Sequence, residues 1–279
     1  MIPRKYLLSI GLIAASAAST YFVTISTAQQ GAPAPAKADN EYQVGAILYQ
    51  QKAAEYRALC YQAFNWAKIV LDGDKKTSKH LPKVEKKKLR AVVVDIDETV
   101  LDNSPAQAYL AKNHLAFDLK SWYAWGDMRK AKPVPGAVDF LNYAVSKGVK
   151  VFYVSNRDDV QKQATIDNLK GAGFQDVSAD NVILRTSESS KEARRQAIMQ
   201  KYRILILMGD NLDDLSNVFE RKSVADRFAE TDKARETFGN RFIVLPNPSY
   251  GTWESAIYEY GRLSDAQKSE KRASALELP

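Results

Sequence analysis

Four short apolar runs punctuate an otherwise mixed chain: Ala91-Val-Val-Val-Asp95, Val149-Lys-Val-Phe-Tyr-Val154, Ile204-Leu-Ile-Leu-Met208 and Phe242-Ile-Val-Leu245. Runs rich in β-branched residues with little polar alternation are the mark of strands covered on both faces, as in parallel sheets. Between them, Ala137–Lys147, Val160–Gly171 and Ser190–Tyr202 carry a helical pattern. Strand and helix in alternation predict an α/β fold, a Rossmann-like, mainly parallel sheet flanked by helices, with a smaller, mostly helical cap region. Upstream, from Glu41 to about Asp72, Tyr49, Ala53, Tyr56, Cys60, Ala63, Ala67 and Val70 recur at spacings of three or four. That pattern predicts one long helix closed by Gly73-Asp74, with Tyr49, Tyr56 and Phe64 packed into the core. The aromatic-rich stretch Gln107–Lys132 reads as an insertion able to cover a site.

The chain opens differently. Arg4 and Lys5 precede an apolar stretch from Tyr6 to about Ile25, and Ser26-Thr27-Ala28 offers small residues for cleavage. This is the layout of an export signal over residues 1–28. The stretch also approaches the roughly 20 residues that span a bilayer, so an uncleaved leader acting as a membrane anchor is the alternative. Either way the expected location is outside the cytoplasm, in the periplasm or at the cell surface or outer membrane. Gln29 to Asn40, rich in Ala and Pro, reads as a flexible tether, with the folded domain over 41–279 and its α/β core at about 88–250. The helical accessory region would comprise 41–82, 105–133 and the C-terminal segment.

Composition narrows the chemistry. With 45% hydrophobic and 26% charged residues, the 279-residue chain is an ordinary globular protein. Its net charge of +7 lacks any nucleic-acid motif beside it, which favours small anionic ligands over a nucleic-acid polymer. Cys60 is the only cysteine, so no intramolecular disulfide forms, and it reads as a small apolar side chain. His80 and His114 are the only histidines and sit in no ligand spacing, which argues against histidine phosphatase chemistry and imidazole-rich zinc sites.

Ligands in open α/β sheets bind at the carboxyl ends of strands. There the first run ends in Asp95-Ile-Asp97-Glu-Thr-Val-Leu-Asp102-Asn-Ser104, the second in Ser155-Asn156-Arg157, and the third in Gly209-Asp210-Asn-Leu-Asp213-Asp214. Converging carboxylates repel unless a divalent cation balances them, and an all-oxygen set suits Mg²⁺. Asp95 is placed to attack phosphorus, and Asp97 to protonate the leaving oxygen and later activate water. Ser155 and Asn156 can bind phosphoryl oxygens, and Lys191 can supply positive charge in the transition state. Asp210 and Asp214 complete the metal set. Taken singly, an Asp-x-Asp or a Gly-Asp-Asn is as readily a turn, and Lys191 an ordinary first-turn residue. Their order along the chain is what carries the reading.

That order resembles the haloacid-dehalogenase-like superfamily, and more closely the class C, four-aspartate bacterial acid phosphatases. The matching stretches are Tyr49-Gln-Gln-Lys-Ala-Ala-Glu-Tyr56, Val92 to Pro105, Val134-Pro-Gly-Ala137, Val151 to Arg157, Gly209 to Asp214, Leu245-Pro-Asn247, Tyr250-Gly251 and Trp253-Glu254. The resemblance implies Asp95 as nucleophile and Asp97 as acid/base. It implies Mg²⁺ held by Asp95, the backbone carbonyl of Asp97 and Asp210, with Asp214 as fourth aspartate. Ser155 and Lys191 match its phosphate-binding positions, and Trp122 and Tyr250 its aromatic sandwich for a nucleotide base. Substrates would be phosphate monoesters, 5′-nucleotides and nicotinamide mononucleotide among them, and homodimers are frequent in the family. Two departures stand out. No cysteine follows the leader, so lipid anchoring is unsupported, and Ser155 stands where threonine is frequent. The competing reading is a non-catalytic haem- or nucleotide-binding or storage protein, but such relatives are expected to lose the nucleophile, and Asp95 is present.

Overall fold

The computed structural model describes residues 38–279; the leader and residues 29–37 of the tether lie outside the described residues. Among the described residues there are seven strands: β1 Leu89–Val94, β2 Leu101–Asp102, β3 Lys132–Pro133, β4 Lys150–Asp158, β5 Val182–Arg185, β6 Tyr202–Gly209 and β7 Phe242–Val244. Five form one sheet in the order β5-β4-β1-β6-β7, with every pairing parallel. β2 and β3 make a separate two-residue antiparallel ribbon. The chain moves outward from β1 to β4 and β5, then returns to the other side of β1 to build β6 and β7. β1 is thus the point where strand order reverses, and the crevice above such a point is where ligands bind.

β1 is central because of its composition. Ala91 to Val94 are all buried, and alternate residues feed opposite layers. Val92 and Val94 pack with Tyr56, Cys60, Phe64, Ala67 and Leu71 of the helix Ala54–Thr77 and with Phe140, Leu141 and Ala144 of Ala137–Ser146. Ala91 and Val93 face Ile198 and Leu215 on the other side. Cys60 is fully buried, and burial pushes its thiol up to about 11, which leaves it inert as expected.

Pairing register then sets the active positions. Val94 lies level with Tyr153 and with Met208. One step further, Asp95 falls beside Val154 and Gly209, so Ser155 and Asp210 flank it at the neighbouring strand tips.

The structure corrects four expectations. The first helix is two, Val44–Lys52 and Ala54–Thr77, broken at Ala53, whose ψ of 129° is extended. The break puts Tyr49 out of phase, so it is 37% exposed and meets Tyr56 edge-on at 6.3 Å instead of joining the core. Gly73-Asp74 does not end the helix, which continues to Thr77. Gly73 lies on an open surface, where a helical glycine costs only about 1 kcal/mol. Asp74 is buried and accepts two hydrogen bonds from Arg203, at 2.7 and 2.9 Å, which pin the last turns to β6. β4 runs on to Asp158, so Ser155 sits within the strand, where its pairing with β5 becomes irregular. Finally, Ala38 to Asn40 are docked: the Ala38 amide donates to His114 O at 2.9 Å and Asn40 Nδ2 to Leu115 O at 3.0 Å. β5 escaped the sequence reading because four residues with alternating burial carry little signal.

Among the described residues no helix is long and apolar enough to cross a membrane. Removing one partner of a buried ion pair strands the other charge and costs about 3 kcal/mol or more. Asp74→Ala should therefore lower stability by about that amount in urea unfolding, with a lower midpoint and unchanged slope.

Candidate active site

All nine positions named from the sequence line a single cavity of about 540 Å³ at the carboxyl end of the sheet. Its floor is acidic. Oxygens of Asp95, Asp210 and Asp214 lie within 4.8 Å of one another. Asp95 follows β1 directly and its amide donates to Met208 O at 2.9 Å, continuing the sheet by one rung. Asp210 begins the turn after β6; Thr99 Oγ1 donates to its Oδ1 at 3.2 Å and Asn247 Nδ2 to its Oδ2 at 2.8 Å. Asp214 lies in the short helix Leu212–Leu215 and accepts from the Asn211 amide at 3.1 Å. Gly209 makes room for it: a Cβ there would stand 2.4 Å from that of Asp214.

Lys191, just before the helix Glu192–Lys201, is the ammonium facing this cluster. It donates to Asp95 Oδ1 and, at 2.7 Å, pairs with Asp214 Oδ1. Burial alone would lower its pKa, but Asp214 and Asp95 outweigh that and raise it. The Asp95 carboxyl is pushed well above the usual range by burial, and the neighbouring carboxylates add to this against the pull of Lys191. Asp210 shifts the same way, by burial and then by Asp214. One ammonium against three crowded carboxylates leaves negative charge uncompensated. An all-oxygen, partly dehydrated set of this kind fits a hard divalent cation. The Asp97 carboxylate stands outside the cluster, consistent with a ligand role for its backbone carbonyl only.

Asp97 faces a different group. Arg157, 2% exposed, grips it through Nε at 2.9 Å and Nη2 at 2.8 Å on Oδ1, and Ser155 Oγ reaches Oδ2 at 3.2 Å. Asn103 Nδ2 adds a third donor to Oδ1 at 2.8 Å. Arg194 fixes the strand tip from below, donating to Ser155 O at 2.7 Å and to Asn156 Oδ1 at 2.6 Å. Trp122 and Tyr250 both reach the cavity. The guanidinium of Arg157 stands 5.5 Å over the Trp122 ring, and the Tyr250 hydroxyl donates to Glu98. Tyr123 and Trp125 turn away from the cavity, to Asp158 and Asn103. The insertion does cover the site, since Leu110 and Phe117 join Trp122 in the wall.

Sequence reading missed Arg157, Asn103, Glu98 and Arg194 as parts of the site. Glu98 adopts a left-handed backbone (φ 58°), and burial pushes its carboxyl up to about 8. Its oxygens hold the Asn103 amide, at 2.7 Å, and the Tyr250 hydroxyl, which fastens the loop after β1. For Arg157, an arginine two residues after Ser155 was the available signal.

A buried carboxylate at the tip of β1, an acidic cluster able to hold a divalent cation and a lysine paired with both stand together above a parallel sheet. The chain belongs to the HAD superfamily, subfamily IIIB (acid phosphatase), whose description matches residues 10–253. It is similar to the class C acid phosphatase of Bacillus anthracis, with 38% identity and a TM-score of 0.80 over 86% of this chain and 98% of that one. A second structure of that Bacillus enzyme, with tungstate bound, matches at a TM-score of 0.79 over the same shares. Acid phosphatase 1 of Solanum lycopersicum is 28% identical over 166 residues, and the chain spans 57% of that protein's length.

Gly209→Ala should leave the sheet folded but displace Asp214. Disturbing the support of a ligand set costs about tenfold or more in metal affinity. Titration calorimetry with a divalent cation should register that loss; unchanged affinity would remove Asp214 from the set.

Proposed function

We propose that this protein is an exported, Mg²⁺-dependent acid phosphatase that hydrolyses phosphate monoesters, 5′-nucleotides among them, through a phosphoryl-Asp95 intermediate. The observation carrying this reading is the convergence of Asp95, Asp97, Ser155, Lys191, Asp210 and Asp214 on one cavity of a chain from an acid phosphatase family. The tungstate held by the Bacillus enzyme supports a pocket for a tetrahedral oxyanion.

Asp95, Asp210, Asp214 and the Asp97 carbonyl would hold the cation, which when bound offsets the charge of the phosphoryl oxygens. A carboxylate oxygen of Asp95 attacks phosphorus in line, and the bond to the leaving oxygen breaks as Asp97 gives that oxygen a proton. Lys191, fixed between Asp95 and Asp214, keeps the nucleophile oriented and faces the charge that develops on the phosphoryl group. Asp97, now ionised, removes a proton from water; that water attacks phosphorus and frees Asp95 and inorganic phosphate. Trp122 and Tyr250 flank the space for the leaving group, and a nucleoside fits two aromatic walls. Residues 1–28 place the enzyme outside the cytoplasm, and an uncleaved leader would tether it to a membrane. Association into a homodimer is consistent with this family reading.

Asp95→Asn should abolish turnover of 4-nitrophenyl phosphate with its thermal midpoint kept within a few degrees; hydrolysis retained by that variant would exclude Asp95 as nucleophile. EDTA should silence the wild type and added Mg²⁺ restore it, whereas activity indifferent to EDTA would refute the metal role. Because Asp97 must carry a proton when the leaving oxygen departs, the rate should be highest in acid and fall as pH rises. A rate flat from pH 4 to 9 would contradict that assignment.

A further inference from the structure

We infer that Arg157, helped by Asn103, is a positioning residue that assigns the working proton of Asp97 to one oxygen, Oδ2; this rests on the phosphatase reading above. The two carboxylate oxygens differ in surroundings. Oδ1 accepts three short hydrogen bonds: from Arg157 Nη2 at 2.8 Å, Arg157 Nε at 2.9 Å and Asn103 Nδ2 at 2.8 Å. Oδ2 receives two long ones, from Arg157 Nε at 3.2 Å and Ser155 Oγ at 3.2 Å.

The identity of these donors is fixed by chemistry. The carbonyl end of the Asn103 amide faces Trp125 Nε1 at 2.8 Å and Arg157 Nη2 at 3.2 Å. Indole and guanidinium nitrogens only donate, so the amide nitrogen must be the end that meets Asp97. An oxygen has two lone pairs in the carboxyl plane, and three donors leave no direction on Oδ1 for a proton of its own. A proton there would collide with donor hydrogens. Oδ2 is left to carry it, because both of its partners are more distant and one of them, the Ser155 hydroxyl, can rotate from donating to accepting.

Arg157 is held rigid for this task. It is 2% exposed, its Nη1 donates to Thr165 Oγ1 at 3.2 Å on the helix Lys162–Gly171, and Trp122 lies over its guanidinium. A buried guanidinium is tolerated only where its donors are matched, and the forked match here is one that lysine cannot reproduce. In the first half-reaction the Oδ2–H bond breaks as the leaving oxygen gains that proton and the electron pair of its bond to phosphorus. In the second, Oδ2 takes a proton from the attacking water.

The test compares two leaving groups. 2,4-Dinitrophenolate departs without a proton, whereas the alkoxide of glycerol 1-phosphate needs one. A misplaced general acid costs about 100-fold or more. Arg157→Met should lower kcat/KM for glycerol 1-phosphate by that factor, and for 2,4-dinitrophenyl phosphate at least about tenfold less. Arg157→Lys, which keeps the charge but not the fork, should show the same imbalance in smaller measure, and it is the variant to read if Arg157→Met does not fold. Equal losses on both esters would overturn the inference, since a purely structural or phosphate-gripping role makes no distinction between leaving groups. No loss on the alkyl ester would overturn it as well. A wild-type enzyme that hydrolyses neither ester would instead sink the phosphatase reading itself.

Discussion

The electrostatic repulsion among three closely set carboxylates, one buried and two partly buried, is the constraint on which this site depends. Asp95, Asp210 and Asp214 are pressed together by strand register and by the absence of a side chain at Gly209, and burial makes the charges of Asp95 and Asp210 costly. Lys191 answers part of that charge through two contacts. The remainder suits a divalent cation. Bulk composition agrees, because a chain with net charge +7 presents a field that favours anions around an acidic centre.

A second device sits beside the first and is kept separate from it. Asp97 lies two residues from Asp95, yet its carboxylate belongs to Arg157, Asn103 and Ser155 and not to the acidic cluster. One short loop thus delivers one carboxylate to the acidic cluster and another to a guanidinium. Glu98, with its left-handed backbone and its bonds to Asn103 and Tyr250, is what holds the loop in the shape that parts them. Such strain is tolerated where surrounding contacts over-determine it, and functional loops are where it collects.

Much of this was legible in the sequence, and for identifiable reasons. Runs such as Ala91 to Val94 announce a two-faced strand because every position is buried, and the carboxylates that follow sit at a strand tip by necessity. What escaped notice depended on long-range contacts. Asp74 continues a helix through Arg203, which lies 129 residues away, and no local signal outranked Gly73-Asp74 as a stop. The grip of Arg157 on Asp97 spans 60 residues. Asn103 carried no local signal, although its amide serves Asp97, Arg157 and Trp125 together. Val182–Arg185 is too short to stand out by pattern alone.

The central claim is that carboxylates from separate strand tips share one hard cation. The most direct measurement is a crystal structure of the protein soaked in Mn²⁺, with anomalous scattering used to locate the ion. A single strong peak bonded to oxygens of Asp95 and Asp210 and adjoining Asp214 is the predicted result. A crystal at saturating Mn²⁺ with no peak among these three residues, or with the ion bound elsewhere in the fold, would contradict it.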